Sequence, residues 1–329
     1  MEFYRSEPTP RSAWRMAILM GANTRTYKFA LGHALLTAAE SGRDSLTLNE
    51  LAIPYALSMA EHAVNAPQAP GIDSLGEKDY LTVVAEEARE SLLQEMPTER
   101  LLQATVKSMP GMVMQKFHNL RGTDGIPLEF YSISGSESRS VVTLAPELVT
   151  IANDSASGLL REELQTRWAL VESAFDSEIG TSLVGKGVEL TSDADWLLET
   201  VRRAPVAQAK PALVGFQHGR CFYCHEVLSN LDASVHVDHV YPFSLMRTGV
   251  WAGPDLNAVW NLVVAHAECN LIKSNRLPTT DEVRQLIDRN EAILSSPHPL
   301  RRTLQLLVGN TAESRRGFYT RLDHLANFQ

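Results

Sequence analysis

The chain has 329 residues, of which 44% are apolar and 21% charged, with three cysteines and a formal net charge of −9. That composition fits a soluble globular protein long enough for two domains with buried cores, and it excludes a disulfide scaffold and a low-complexity chain. No apolar run is long enough to span a bilayer, so no membrane partner is expected.

The negative charge is unevenly spread. Residues 201–329 hold 14 Lys+Arg against 11 Asp+Glu, a local +3, whereas residues 1–200 hold 16 against 28, or −12. An acidic first half is a poor surface for nucleic acid and a better one for a protein partner or for covering another domain. The opening MEFYRSEPTPR has no signal-peptide pattern, and so few cysteines suit a reducing compartment; a cytoplasmic protein is expected.

The first half reads as helical. Thr9-Pro10 is an N-cap and first-turn pair, and Trp14, Ile18 and Leu19 form a helical stripe that ends before Gly21. TRTYKFALGHALLTAAES predicts a second helix, with Tyr27, Leu31, Ala34 and Leu35 on one side and a stop at Ser41-Gly42. A third, over residues 47–66, is expected to be interrupted or kinked at Pro54. Residues 67–76 read as a loop, followed by a helix over about 78–95. Another opens at Thr98-Glu99 and ends near Met109-Pro110-Gly111, with Met109, Met112 and Met114 as core filling. At 127–144 the period changes to two, and PLEFYSIS and RSVVTLA, joined by Gly135-Ser136-Glu137, predict a hairpin. A helix over 155–177 follows, with Leu159, Leu160, Leu164, Trp168 and Val171 on one side. A loop at 180–187, a helix at 193–203 and the small-residue stretch 204–211 lead to the divide between an acidic helical domain, 1–204, and a second domain, 205–329. A helix from Thr280 through Leu294 and two more close the chain. The fold class is α+β, mainly helical.

One stretch stands apart. Residues 221–276, CFYCHEVLSNLDASVHVDHVYPFSLMRTGVWAGPDLNAVWNLVVAHAECNLIKSNR, contain all three cysteines. Cys221 and Cys224 form a C-x-x-C pair, and His266-x-x-Cys269 forms a second pair of the same spacing. Two thiolates three positions apart reach one ion from a tight turn that Phe222-Tyr223 fill. His266 and Cys269 reach it from the start of a helix, completing a tetrahedral zinc set. His225 competes as fourth ligand but is adjacent to Cys224 and awkwardly placed. The bland alternative, three buried apolar thiols, does not account for all three falling at ligand spacing.

The insert between the pairs carries the reactive side chains. SVHVDHVYP is an alternating strand that ends at Pro242. Neighbours on a regular strand point to opposite faces, so Asp238 and His239 serve one site only if the strand ends or bends there. A carboxylate suits a hard divalent ion and a neutral imidazole suits proton abstraction near neutral pH. Asn270 opens the LIKSN helix, where its amide oxygen is placed to complete the same cation site. Asn261 cannot be a base, and its expected role is to hydrogen-bond the loop backbone and hold His239. Each has a plainer reading: Asn261 and Asn270 as turn or cap residues, and His236 as a solvated strand residue rather than a phosphate contact. Arg247, Lys273 and Arg276 are phosphate contacts or ordinary solvated charges.

These residues resemble the HNH endonuclease family across roughly 215–280. The resemblance implies a ββα-metal core in which a hairpin and a metal-binding helix are clamped by a zinc knuckle. It matches His239 to the general base, Asp238 to the metal-ligating acid before it, Asn261 to the central asparagine and Asn270 to the last motif position, the H-N-N variant. His266 departs from the pattern, since many members have cysteine there, and so does the long stretch 244–258 with Gly249, Gly253 and Pro254, which reads as a substrate loop. The resemblance implies DNA phosphodiester hydrolysis with Mg2+ or Mn2+ held by Asp238 and Asn270, structural Zn2+, and 5′-phosphate and 3′-hydroxyl products. The rivals are a non-catalytic zinc-knuckle module that binds nucleic acid or protein, and an HNH nuclease acting on RNA. The segment WRMAILMGANTRTYKFALGHALL also resembles the opening of bacterial HNH proteins of phage-defence operons, of the type II Zorya kind. That resemblance implies antiviral defence, with operon proteins as partners through the acidic N-terminal domain.

Overall fold

Hydroxyl and carboxylate side chains cap the starts of several helices of this protein. In the computed structural model, which describes residues 2–21, 24–70, 75–120, 125–135, 140–176, 206–247, 251, 253–298 and 300–327, a short helix α1 (Glu2–Ser6) precedes α2 (Pro10–Arg15). The Thr9 hydroxyl caps α2 by accepting from the Ser12 N–H at 3.2 Å, and Pro10 takes the first-turn position that lacks an intrahelical donor role. The chain then widens into a π-helical turn over Met16–Met20 before Gly21. Helix α3 (Tyr27–Glu40) is buried along nearly its whole length, and the left-handed Gly42 (φ 72°) lies just beyond its end.

Strand β1 (Ser45–Thr47) runs directly into α4 (Leu48–Asn65), whose start is a reciprocal capping box between Thr47 and Glu50. The interruption that Pro54 allowed for does not occur, since α4 runs unbroken through it. Pro54 removes one intrahelical N–H and crowds the carbonyl four residues earlier, and packing of α4 against α3 and α5 (Tyr80–Leu93) outweighs that cost. Asp79 caps α5 and Thr98 caps α6 (Glu99–Met112), which also runs through its proline, Pro110. Strands β2 (Tyr131–Ser134) and β3 (Val141–Leu144) pair antiparallel with Ile133 opposite Val142. Their turn residues 136–139 lie outside the described residues. The sheet has a third strand that periodicity did not reveal, since β1 pairs with β3 through only three residues. Helices α7 (Pro146–Asn153) and α8 (Ser157–Asp176) complete this part.

Its core is apolar, with Trp14 edge-on to Phe130 at 5.2 Å, but it also encloses a bidentate ion pair from Arg15 to Glu163 at 2.8 Å. Gly32 permits the contact of α3 with α8, because a Cβ there would lie 2.8 Å from Leu164 Cδ1.

The chain divides into two compact units, Phe3–Val188 and Glu189–Gln329. The expected divide near 204, the loop at 180–187 and the helix at 193–203 fall outside the described residues. The second unit begins its described part with α9 (Val206–Phe216), so residues 206–211 of the expected approach segment are helical. Strand β4 (Val235–His239) pairs antiparallel with β5 (Leu262–His266), and helix α11 (Ala267–Lys273) follows β5 without a loop. Between the strands, among the described residues, lie one turn of α-helix, α10 (Ser244–Arg247), and a 3-10 turn at Val259–Asn261. Helix α12 (Thr280–Ser295), started by a Thr279–Glu282 capping box, packs on α13 (Leu300–Val308), and α14 (Ala312–Asn327) closes the chain. The architecture is mainly helical α+β. Among the described residues no helix is long and apolar enough to cross a membrane.

Candidate metal centre and adjoining cleft

The C-x-x-C pair sits in a tight turn set by backbone geometry. After α9, His218 and Gly219 both take left-handed conformations, and an isolated bridge joins Arg220 to Val227. Within this loop the Cys221 N–H donates to the Glu226 carbonyl at 2.9 Å and the His225 N–H to the Cys221 carbonyl at 3.0 Å. His225 itself is left-handed (φ 63°), which turns the chain back immediately after Cys224. The turn is fastened to β5, because the Phe222 N–H donates to the Val264 carbonyl at 3.0 Å. Gln217 extends that ladder with its side chain, donating to the Val264 carbonyl and accepting the Val264 N–H, each at 2.8 Å.

The second pair arrives from the other side. His266 ends β5 and Cys269 lies in the first turn of α11. The ligand atoms of Cys221, Cys224, His266 and Cys269 lie within 4.8 Å of one another, so this cluster can hold a metal ion. Cys224 Sγ is 3.4 Å from His266 Nδ1. The donor chemistry fits a soft or borderline cation. Burial opposes ionisation of Cys221, but N–H groups of Cys224, His266 and Tyr223 aimed at its sulfur outweigh it and hold the thiol below its usual range. Cys269 moves the other way, pushed up to about 12 by burial and then by the neighbouring sulfurs. Three thiols so close cannot all lose their protons unless a cation takes up the charge. His225 is not part of the cluster.

Beside it lies an open cleft of about 370 Å³ lined by Asp238, His239, Pro242, Phe243, Asn270 and Lys273, among others. Strand β4 ends on His239, and both Asp238 and His239 line the cleft. Asp238 is buried; its Oδ2 accepts from the Tyr223 hydroxyl at 2.5 Å and lies 3.5 Å from Lys273 Nζ. His239 Nε2 is 3.0 Å from Asn257 Oδ1. With that amide oxygen as acceptor, Nε2 carries the proton and Nδ1 the lone pair. Asn270 contributes to the same cleft, and its Nδ2 is 3.5 Å from His236 Nδ1.

Asn261 does not enter the cleft. Its side chain is fully buried, accepts the Tyr241 N–H at 2.8 Å, and donates to the carbonyls of Tyr241 at 2.9 Å and Leu256 at 2.8 Å. It thereby clips together the two ends of the loop that follows His239. The same loop is anchored from behind, where Asn290 and Arg289 of α12 donate to the Trp260 carbonyl at 2.9 and 3.2 Å.

The three cations expected at phosphate have different fates. Arg247 ends α10, and its side chain lies outside the described residues. Lys273 is not a solvated surface charge: it is 2% exposed, and its ammonium bonds to the His239 carbonyl as well as facing Asp238. Burial draws its pKa down, against the opposing pull of Asp238. Arg276 is exposed but engaged, pairing with Glu282 at 2.5 and 2.7 Å while its guanidinium lies 6.0 Å from the centre of the Tyr223 ring. Of the loop 244–258, residues 248–250 and 252 fall outside the described residues; Trp251 Nε1 donates to the Pro254 carbonyl at 2.8 Å.

Two residues of this site escaped the sequence reading. Tyr223 looked like turn filling, and Asn257 lies in an irregular loop whose return to His239 no local pattern announces. The available signals were that Tyr223 is a polar aromatic within a ligand turn, and that Asn257 shares a loop with Asn261. Comparison of the chain with protein-family models, curated proteins and solved structures returned no match.

Proposed function

We propose that this protein is a metal-dependent endonuclease of the HNH kind that hydrolyses DNA phosphodiester bonds. The observation that carries the reading is that Asp238, His239 and Asn270 line one cleft, next to a cluster of three cysteines and one histidine that can hold a metal. A carboxylate and an amide supply hard oxygen donors for a divalent ion, and an imidazole whose Nδ1 has no partner among the described residues supplies a base.

In this reading His239 Nδ1 accepts a proton from the attacking water, while Asn257 holds the ring by its other nitrogen. Asn261 keeps the loop from Tyr241 to Leu256 closed and so fixes the backbone that carries His239. Asp238 and Asn270 would hold Mg2+ or Mn2+, which when bound supplies positive charge for the phosphorane oxygens and the leaving 3′-oxygen. Lys273 adds a fixed ammonium at the same place. Zinc is the metal that a set of three cysteines and one histidine suits best, and its role is to hold the turn at 221–224 to the start of α11.

The test is nicking of supercoiled plasmid by the purified full chain with Mg2+ or Mn2+, against a chelator-treated control, with RNA as competitor. Cation-dependent nicking is expected. Binding of DNA without nicking under all these conditions would make the protein a non-catalytic zinc module, and preferential cleavage of RNA would change the substrate.

A further inference from the structure

Tyr223 belongs to the cysteine turn by sequence, and its hydroxyl reaches Asp238, a residue of the cleft wall. Two backbone anchors one residue apart on β5 set its reach: Phe222 bonds to Val264, and Asp238 pairs with Val263. The Tyr223 hydroxyl therefore arrives at Asp238 Oδ2, 2.5 Å away, from a part of the chain fifteen residues earlier. Its ring is braced by Phe222, edge-on at 5.3 Å, and by Arg276, which Glu282 holds at the cap of α12. The second contact of Asp238, from Lys273, falls on the same oxygen. Among the described residues Oδ1 has no protein partner, so the carboxylate is gripped by one oxygen and presents the other. Groups that orient a metal-ligating carboxylate in this way govern its affinity for the ion although they never touch it.

We infer that Tyr223 is the positioning residue for the cation-binding carboxylate Asp238, and that it ties the cysteine-histidine centre to the cation site in the cleft. The inference rests on the nuclease reading above, and it adds that the two metal sites are not independent. The turn that one metal holds in shape also sets the rotation of the ligand for the other.

The test uses the full chain and Mn2+ as probe, followed by electron paramagnetic resonance, with Asp238→Asn to identify the signal from the cleft. Tyr223→Phe keeps the ring and its contacts and removes only the hydroxyl. It is expected to retain wild-type zinc by atomic emission and to need roughly 10–100-fold more Mn2+ for half-saturation. Its nicking should be restored by high Mn2+, whereas that of Asp238→Asn should not. Unchanged Mn2+ affinity in Tyr223→Phe overturns the inference and leaves the nuclease reading standing. So does loss of zinc from that variant, since the hydroxyl would then serve the turn itself. A wild type that binds no Mn2+ at the Asp238-dependent site overturns both.

Discussion

His239 stands where the strand stops, with its carbonyl held by Lys273 and its ring by Asn257. Removing the imidazole gives up the Asn257 contact but leaves the Lys273 bond to the His239 carbonyl and the pairing of His239 with Leu262 in place, so His239→Ala should retain zinc and its unfolding temperature. On the proposed nuclease reading its nicking should fall on the order of 10²–10⁴-fold, the usual scale for loss of a general base. Wild-type-like nicking by this variant excludes His239 as the base. Asn261→Ala should behave in the opposite way. Its three hydrogen bonds lie in a fully buried position, and truncation strands the Tyr241 N–H and two carbonyls. A loss of ~3 kcal/mol in denaturant unfolding is expected, since each stranded group costs about 1–3 kcal/mol and relaxation recovers part. A change below about 0.5 kcal/mol, the scale of ordinary surface substitutions, would show that the loop closes without the clip.

Among the elements, the turn at 221–224 and the first turn of α11 meet at the cluster that can hold a metal, and with zinc bound there each would depend on the other. Cys269→Ser should therefore lose the metal and stability together, because metal binding and folding share one free energy. Atomic emission and thermal unfolding on the same sample check this, and a Cys269→Ser protein that keeps both contradicts the ligand assignment. In the first unit the sensitive element is the start of β2. His118 Nε2 accepts the Phe130 N–H at 2.9 Å, and burial, helped by the charge of Lys28, lowers its pKa from 6.5 to about 4. The folded state thus holds His118 neutral where the unfolded chain would protonate it. That stability is fully present above pH ~6.5 and is lost as pH falls toward about 4, by at most ~3 kcal/mol. Urea unfolding across this window should show the slope, and His118→Gln, whose amide oxygen can still accept the Phe130 N–H, should flatten it. A wild type with no slope there would mean that the imidazole is protonated in both states.

For the molecule as a whole the relevant quantity is charge. Residues 201–329 carry +3 while the full chain carries −9. DNA affinity at low salt follows local positive charge and the counterions that binding releases. A protein of residues 201–329, shown by circular dichroism and zinc content to be folded, is therefore expected to bind DNA more tightly at low salt than the full chain, with the difference shrinking as salt rises. Equal binding at low salt would show that the acidic first half does not oppose DNA.

Much of this was legible in the sequence, for reasons of period and spacing. The caps at Thr9 and Thr98, the β2–β3 hairpin and the helix after Thr279 follow from contacts within a few residues, which the sequence itself specifies. The cluster of Cys221, Cys224, His266 and Cys269 was readable too, because residues three apart share a turn and can bring their donor atoms together. Pro54 shows where a local rule loses, since α4 continues through it packed against α3 and α5, whereas α6 stops two residues after Pro110, near its expected end. Strand β1 was too short to have a period and exists only because β3 pairs with it. The burial of Lys273, the reach of Tyr223 to Asp238 and the hold of Asn257 on His239 were decided by tertiary structure alone. Each joins residues 15 to 35 positions apart, and only the β4–β5 register and the seating of α11 beside it bring such pairs within hydrogen-bonding distance.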